Sequence, residues 1–406
     1  MNSPSTAGGG PRHPTRVQIG LLAAAVFMAV TTELMPAGVL PWLSADLGVE
    51  NERAGLLVTA YAFVVAATAV PLTTATMRWP RRRLIVTVLL GYAVSNVLMA
   101  IAGSLVVAGA ARVVGGLSHA VLFSIVTAYA ARLVRPDLVG RTVAVLWLGT
   151  ALALLAGLPA GTSLGAATSW RWPFVVLAVL GVALAACAGT LLAPVESSEP
   201  GTTSLSGVVR SPGVARVAIA TGLVMLGNFT AYTYVATLLL SAGFSKDAVG
   251  PGLLAHGLAG LAGLWWSARL ADRRPRLGLT ISLALLVCSL LGLALAQDSA
   301  AATVVALVGW GAAYGGLATF FNAAALRATP ARDTATALIN VAFNLGIGGG
   351  AVLGSLVIGA GGRAPALAPL AAGLVAVGLL VVLAGRRHAF PSGAAPEREA
   401  PGQHPS

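Results

Sequence analysis

Long apolar runs alternate with short polar or basic connections from about residue 17 to residue 385, and the runs are unbroken rather than alternating. A helix needs roughly 20 apolar residues to cross the hydrocarbon of a bilayer. Twelve segments meet that length: 17–40, 55–77, 84–103, 105–131, 142–166, 173–193, 214–240, 248–268, 277–296, 300–326, 335–360 and 366–385. A membrane β-barrel would instead show short alternating strands. The expected fold is an all-α integral membrane protein, with twelve transmembrane helices in two pseudo-symmetric six-helix bundles.

The division into two rests on the connections. The longest polar one, VESSEPGTTSLSGVVRSPG, is rich in Gly, Pro and Ser and reads as a linker. The predicted organisation is a cytoplasmic tail over 1–16, a six-helix bundle over 17–194, a linker over 195–213, a second bundle over 214–387 and a second tail over 388–406. The tails are expected to be disordered. The halves echo one another: MRWPRRRL follows the second run and ADRRPRL the eighth, and Pro80 and Pro275 are separated by nearly the same distance as Pro136 and Pro330. Small residues also recur every fourth position at Gly149, Ala153, Gly157, Gly161 and Gly165, and again at Ala342, Gly346, Gly350 and Gly354. That spacing makes a groove along one helix face, for static packing or for a moving contact. Static packing is the favoured reading, and the groove's presence in both halves shifts some weight toward the moving contact.

Composition fits this reading: 57% of residues are hydrophobic and only 9% charged, far below the share that a water-facing surface needs. The net charge of +12 marks topology rather than nucleic acid. With the N-terminus placed in the cytoplasm, the basic residues fall in cytoplasmic segments, except Arg53, Arg171, Lys246, Arg363 and the intramembrane Arg112. This is the positive-inside pattern, and it puts both termini in the cytoplasm of a multi-pass cell-membrane protein. Cys187 and Cys288 lie in separate apolar runs and are expected to serve packing, not a disulfide or a metal. The first run lacks a clear cleavage site and is read as a span.

Two full charges lie inside the runs, Glu33 in the first and Arg112 in the fourth. An ion in hydrocarbon costs at least a few kcal/mol, so such residues are functional candidates by default. Each is about 10–12 Å below the outer end of its helix by the helical rise, so the two stand at similar depth. Burial favours the neutral form of a carboxyl group and an arginine neighbour the charged form, whereas arginine stays protonated. Glu33 therefore reads as a proton carrier tuned by Arg112, or else as half of a fixed ion pair. His119, two turns after Arg112 on the same face, reads as a proton relay or as a packed, hydrogen-bonded histidine; His256 carries the same two readings.

Trp310, Tyr314, Leu317 and Phe321 form one aromatic and apolar face. With Asn228 and Tyr232, Asn340 and Asn344, and Thr31 and Thr32 beside Glu33, they are candidates for the wall of a mostly apolar cargo cavity. Helix packing is the alternative for the aromatic stripe. Buried amides are expected in the cavity or between helices, because an amide facing lipid is costly.

These residues resemble the major facilitator superfamily, in its twelve-span drug:proton antiporter branch. TTELMPAGVLPWLSADLGVENERAGLLVTAYAF is similar to bacterial exporters of the chloramphenicol-resistance and arabinose-efflux type. ARVVGGLSHAVLFS resembles the motif that bears the family arginine, here Arg112. GTALALLAGLPAGTSLG resembles the antiporter Gly-Pro motif, here Gly157, Pro159 and Gly161. SARLADRRPR resembles the cytoplasmic loop signature, here Asp272 and Arg273; the first-half loop keeps the basic residues but lacks the acid. The resemblance implies a major facilitator fold with the first and fourth spans together at a central cavity, which brings Glu33 and Arg112 within reach.

The expected activity is proton-coupled export of a small amphipathic or hydrophobic compound by alternating access, with chloramphenicol-like antibiotics as the cargo that the family suggests. Export of sugars or other polar metabolites is the alternative. No phosphate-binding loop G-x-x-x-x-G-K-[ST] occurs, which argues against direct ATP drive. No enzyme activity, metal or cofactor is expected. The expected partners are the lipid bilayer, small-molecule cargo and protons, not nucleic acid, with the chain as a monomer.

Overall fold

The computed structural model describes residues 15–76, 78–135, 138–194, 212–270, 274–296, 299–329 and 332–385. Both tails, most of the linker, Pro136, Pro330 and the loop-signature residues Asp272 and Arg273 lie outside the described residues. Twelve helices are long and apolar enough to cross a membrane. Numbered as spans in chain order they are Thr15–Asp46, Asn51–Ala69, Arg81–Ala100, Leu105–Ala130, Thr142–Ala167, Trp172–Leu191, Gly213–Tyr232, Lys246–Leu270, Pro275–Leu295, Ala300–Ala328, Leu338–Gly359 and Ala364–Ala384. Helices satisfy every main-chain group within the segment, which is what hydrocarbon demands.

Three spans are less regular than an apolar run predicts. Span 5 contains a π turn at Ala153–Gly157, closed by Leu158 N–H on the Ala153 carbonyl. Pro159 follows at once; its missing N–H and its ring make a regular turn unfavourable there, and a wide turn absorbs the conflict. Span 10 divides into Ala300–Tyr314 and Leu317–Ala328 at Gly315 and Gly316. Span 8 presses on that break: a Cβ at Gly315 would meet the Gly260 carbonyl, and one at Gly316 would meet Ser267. The seventh predicted segment, 214–240, becomes Pro212–Tyr232 followed by a short helix, Val235–Ser241.

The duplication reaches the punctuation of the helices. Span 1 ends at Gly48, which takes a positive φ of 63°. Gly48 N–H reaches the Ala45 carbonyl and Val49 N–H the Ser44 carbonyl. Gly243 ends the short helix after span 7 at φ 84°, with the same two bonds from Gly243 to Leu240 and from Phe244 to Leu239. A left-handed residue closing a helix in this way is nearly always glycine, because a Cβ is strained there. Pro80 and Pro275 open spans 3 and 9, and Ser104 and Ser299 cap spans 4 and 10 through their side chains. All three pairs share one sequence offset.

The small-residue grooves lie within the bundles, where they serve close helix packing. Along span 5, Cβ atoms at Gly149, Gly157, Gly161 and Gly165 would meet Ala23, Thr31, Met35 and Val39 of span 1. Along span 11, Gly346, Gly350 and Gly354 press likewise on span 7 at Met225, Leu226 and Thr230. Cys187 and Cys288 are corrected: both are exposed on the outside of their bundles, where a small apolar thiol is tolerated by lipid.

Other glycines join the two bundles. Span 2 packs on span 11, and span 5 on span 8. Gly55 lies against the Tyr234 ring and Gly348 against Phe63, while Thr59 Oγ1 donates to the Gly348 carbonyl at 3.0 Å. Gly257 faces Leu154 and Leu155, and Gly250 faces Ser163. These contacts gather toward the end where span 1 finishes and span 2 begins. A Cβ at Gly257 would stand 2.6 Å from the Leu154 carbonyl oxygen and 2.9 Å from Leu155 Cα, both backbone atoms with little room to yield. Gly257→Val is therefore expected to hold this face open. In a chain lacking its native thiols, a cysteine placed at Ser163 should then label faster with an impermeant maleimide; unchanged labelling would show that the seam does not close this face.

Candidate functional site

Pro36 sits inside span 1 and has no N–H. The carbonyl four residues earlier, Thr32, therefore loses its helical donor. Arg112 supplies one: Nη1 donates to the Thr32 carbonyl at 2.8 Å and Nη2 to the Glu33 carbonyl at 2.7 Å. Nε donates to the Leu57 carbonyl of span 2 at 3.1 Å, and the guanidinium lies 4.0 Å from the centroid of the Tyr61 ring. Arg112 is fully buried. One planar cation thus ties spans 1, 2 and 4 together through main-chain oxygens, the kind of multidentate contact that a guanidinium makes and an ammonium does not.

This geometry changes the expected pairing. The Glu33 side chain makes no contact within 4.0 Å with Arg112, whose donors are taken by carbonyls; the nearer charged-type partner is His119, with Nε2 3.9 Å from Glu33 Oε2. No hydrogen bond holds the Glu33 carboxyl group among the described residues, and its side chain keeps 13% of its surface exposed. It is a free end beside a fixed cation. His119 is fixed more firmly, with Nδ1 2.9 Å from the Tyr61 hydroxyl and its ring stacked on Phe123 at 4.2 Å. Glu33, His119, Tyr61 and Arg112 form one continuous cluster. Tyr61, which joins the histidine to the arginine, was missed in the sequence because a tyrosine in an apolar run has no distinctive spacing.

The second bundle holds the image of this cluster. The offset that carries Gly48 to Gly243 carries Glu33 to Asn228, Tyr61 to His256, Arg112 to Leu307 and His119 to Tyr314. The images are also gathered in space. Trp310 Nε1 donates to Asn228 Oδ1 at 2.8 Å, and His256 Nδ1 lies 3.1 Å from the Leu307 carbonyl. A carbonyl only accepts, so that nitrogen carries the hydrogen. Tyr232 stacks on Tyr314, and its ring meets Trp310, His256 and Phe229 edge-on or tilted. The copy keeps the shape but has exchanged the acid for an amide and the arginine for leucine.

The remaining predicted residues separate into two groups. Asn228, Tyr232, Trp310 and Tyr314 come together, and the Asn228 amide nitrogen is buried without a partner. Leu317 and Phe321 continue the buried face below them. Thr31 and Thr32 are buried and engaged: Thr31 donates to the Phe27 carbonyl at 2.7 Å beside Gly157, and the Thr32 hydroxyl accepts from Asn96 at 3.0 Å. Asn344 is buried and bonds back to Asn340 within span 11, while Asn340 is exposed. Gly157, Pro159 and Gly161 shape the π turn and its contact with span 1. No group of three or more His, Cys, Asp or Glu stands at metal-binding distance among the described residues.

Residues 22–346 match the family model described as Major Facilitator Superfamily. The chain is 33% identical to two chloramphenicol efflux pumps of Mycobacterium tuberculosis, MT0201 of strain CDC 1551 / Oshkosh over 373 residues and Rv0191 of strain ATCC 25618 / H37Rv over 372 residues; each match covers 86% of both proteins. Its fold is similar to the nucleoside transporter NupG, with a TM-score of 0.74 at 12% identity over 92% of this chain and 100% of that one. It is also similar to a bacterial homologue of the human lysosomal transporter Spinster in an inward-facing, occupied conformation, with a TM-score of 0.72 at 15% identity over 95% of this chain and 100% of that one.

Proposed function

This chain belongs to the Major Facilitator Superfamily, and from that premise we propose that it exports a small amphipathic, chloramphenicol-like compound from the cytoplasm in exchange for protons. The observation that carries the reading is a Glu33 carboxyl group without a hydrogen bond, with His119 3.9 Å away, beside a cation held by backbone, while the second bundle holds a neutral aromatic copy of the same site. Glu33 takes and releases the proton. His119, held by Tyr61, is the group to which that proton passes. The neutral cluster takes the cargo: Tyr232, Trp310 and Tyr314 offer aromatic faces, and the free Asn228 N–H donors suit a carbonyl, nitro or hydroxyl oxygen. The efflux activity of the two mycobacterial relatives supports this choice of cargo.

Both termini lie in the cytoplasm by the distribution of basic loops. The joined end of the bundles is then the outer face, and the state described is inward-facing. A proton on Glu33 and cargo in the facing cluster favour opposite access states, because a ligand shifts an equilibrium only by its differential affinity for the two states. The test is exchange in inverted membrane vesicles under an imposed pH gradient, screened with phenicols, dyes and sugars. Phenicol-stimulated collapse of the gradient is the expected result, and a response to sugars alone would assign another cargo. Asn228→Ala is expected to weaken phenicol binding by about 1–3 kcal/mol, the cost of losing a buried donor, while leaving proton release by Glu33 intact. Unchanged binding would remove the neutral cluster from the cargo site.

A further inference from the structure

The proposed exchange gives His256 no task, yet its ring stands inside the aromatic cluster, with its centroid 5.4 Å from that of Trp310 and 5.6 Å from that of Tyr232. Span 10 fixes it from behind. A Cβ at Gly311 would meet the His256 main chain, and one at Gly315 the Gly260 main chain, so span 8 runs in backbone contact with span 10. From that position Nδ1 reaches the Leu307 carbonyl at 3.1 Å. The residue is 4% exposed, and no carboxylate stands within ion-pair reach of it among the described residues. An unpaired imidazolium there would be costly, so the ring is neutral. A neutral imidazole has one N–H, and the carbonyl, which only accepts, requires it on Nδ1. Nε2 is therefore an acceptor, on the side of the ring away from Leu307, and no hydrogen bond fills it among the described residues.

The first bundle shows how such a ring is satisfied. There the Tyr61 hydroxyl bonds His119 Nδ1 at 2.9 Å. The equivalent positions of the second bundle carry the same two residue types exchanged, His256 and Tyr314. No hydrogen bond joins them among the described residues, and Tyr314 stacks on Tyr232 instead. The second bundle thus has the imidazole acceptor without its hydroxyl partner. The other polar opening of the cluster is opposite in kind: Asn228 gives its oxygen to Trp310 and keeps an unpaired amide N–H. We propose that His256 Nε2 accepts a hydrogen bond from a hydroxyl group of the cargo and makes the transporter select hydroxylated compounds. Asn228, Tyr232, Trp310 and Tyr314 carry no charge, which suits a hydroxyl donor rather than an ammonium. A site built to bond a hydroxyl rejects an analogue that lacks it, because its own buried group is then left unpaired. The assignment rests on the cargo reading above and names what that site prefers.

Equilibrium binding of three matched phenicols to the full chain in detergent tests this. They are thiamphenicol, florfenicol, which has fluorine in place of the primary hydroxyl, and the ketone made by oxidising the benzylic hydroxyl of thiamphenicol. In the native protein one of the two analogues is expected to bind about tenfold more weakly than thiamphenicol, as for one neutral hydrogen bond lost from a buried acceptor. His256→Asn places an amide N–H where Nδ1 stands, which keeps a donor for Leu307, and leaves nothing at Nε2. In that variant the difference between the analogue and thiamphenicol should vanish. A merely structural role for His256 would weaken all three alike and leave the difference in place. Should His256→Asn not fold, the native comparison still decides, because a filled Nε2 requires unequal binding. Equal binding of all three by the native protein, or a difference that survives in His256→Asn, would overturn the assignment and leave phenicol export standing. Failure of all three to bind would overturn the cargo reading, and this assignment with it.

Discussion

Glu33→Gln is expected to abolish exchange driven by a pH gradient while leaving the protein folded and able to bind cargo. Glutamine has nearly the shape of a protonated glutamate but cannot release the proton, so the two access states lose the ligand that distinguishes them. The coupling lost corresponds to about 5–150-fold in the ratio of cargo affinities with and without the proton. In the native protein, cargo binding should strengthen as pH rises, because cargo favours the deprotonated form. In the variant, binding should not vary with pH. Equilibrium binding across a pH series reads this directly, and inverted vesicles read the exchange. Native exchange in the variant would take the carboxyl group out of the mechanism. Folding is expected to survive because that group makes no hydrogen bond in the described structure.

Arg112→Lys carries the second large effect. The ammonium keeps the charge but cannot reach the carbonyls of Thr32, Glu33 and Leu57 in one plane, so the Thr32 carbonyl, which Pro36 leaves without a helical donor, is the one that goes unsatisfied. Each unsatisfied buried group costs about 1–3 kcal/mol, and a fall in thermal stability with loss of exchange is the expected result. The cause can be isolated. Pro36→Ala returns an N–H to span 1 and gives the Thr32 carbonyl its own helical partner. In that background Arg112→Lys should cost less, by about 1 kcal/mol within the range seen for residues sharing one network. A double-mutant cycle on thermal unfolding in detergent measures this. Additive losses would show that Arg112 does not serve the carbonyl freed by Pro36. Because Leu57 lies in the segment of span 2 that packs on span 11, the cycle also probes how the Arg112 cluster is joined to the seam between the bundles.

The relation between the two clusters explains why one transporter carries an acid and an amide at equivalent positions. A duplicated bundle begins with two identical cavities. On the proposed function, the acid and arginine of one half confine proton chemistry to spans 1, 2 and 4, and the other half offers an apolar cargo an uncharged surface on which it loses little hydration. Trp310 enters beside Asn228 in the second half, where the first half has Gly115 at the equivalent position.

The twelve spans, their division into halves and the two intramembrane charges were legible in the sequence, because hydrocarbon penalises every exposed polar group and leaves a long-range signature in composition. What the chain alone left open was which groups meet. Depth along a helix follows from counting residues, and it placed Glu33 and Arg112 at one level. Rotation and crossing angle do not follow from counting, and they turned the guanidinium onto main-chain oxygens and the carboxyl group toward His119. The same limit governed the glycines: a stripe of small residues fixes how closely a helix is approached, and only packing assigned those of span 5 to span 1 and left Gly250 and Gly257 to join the bundles. Composition settles the solvent of each residue, whereas its partner is a property of three or more helices at once.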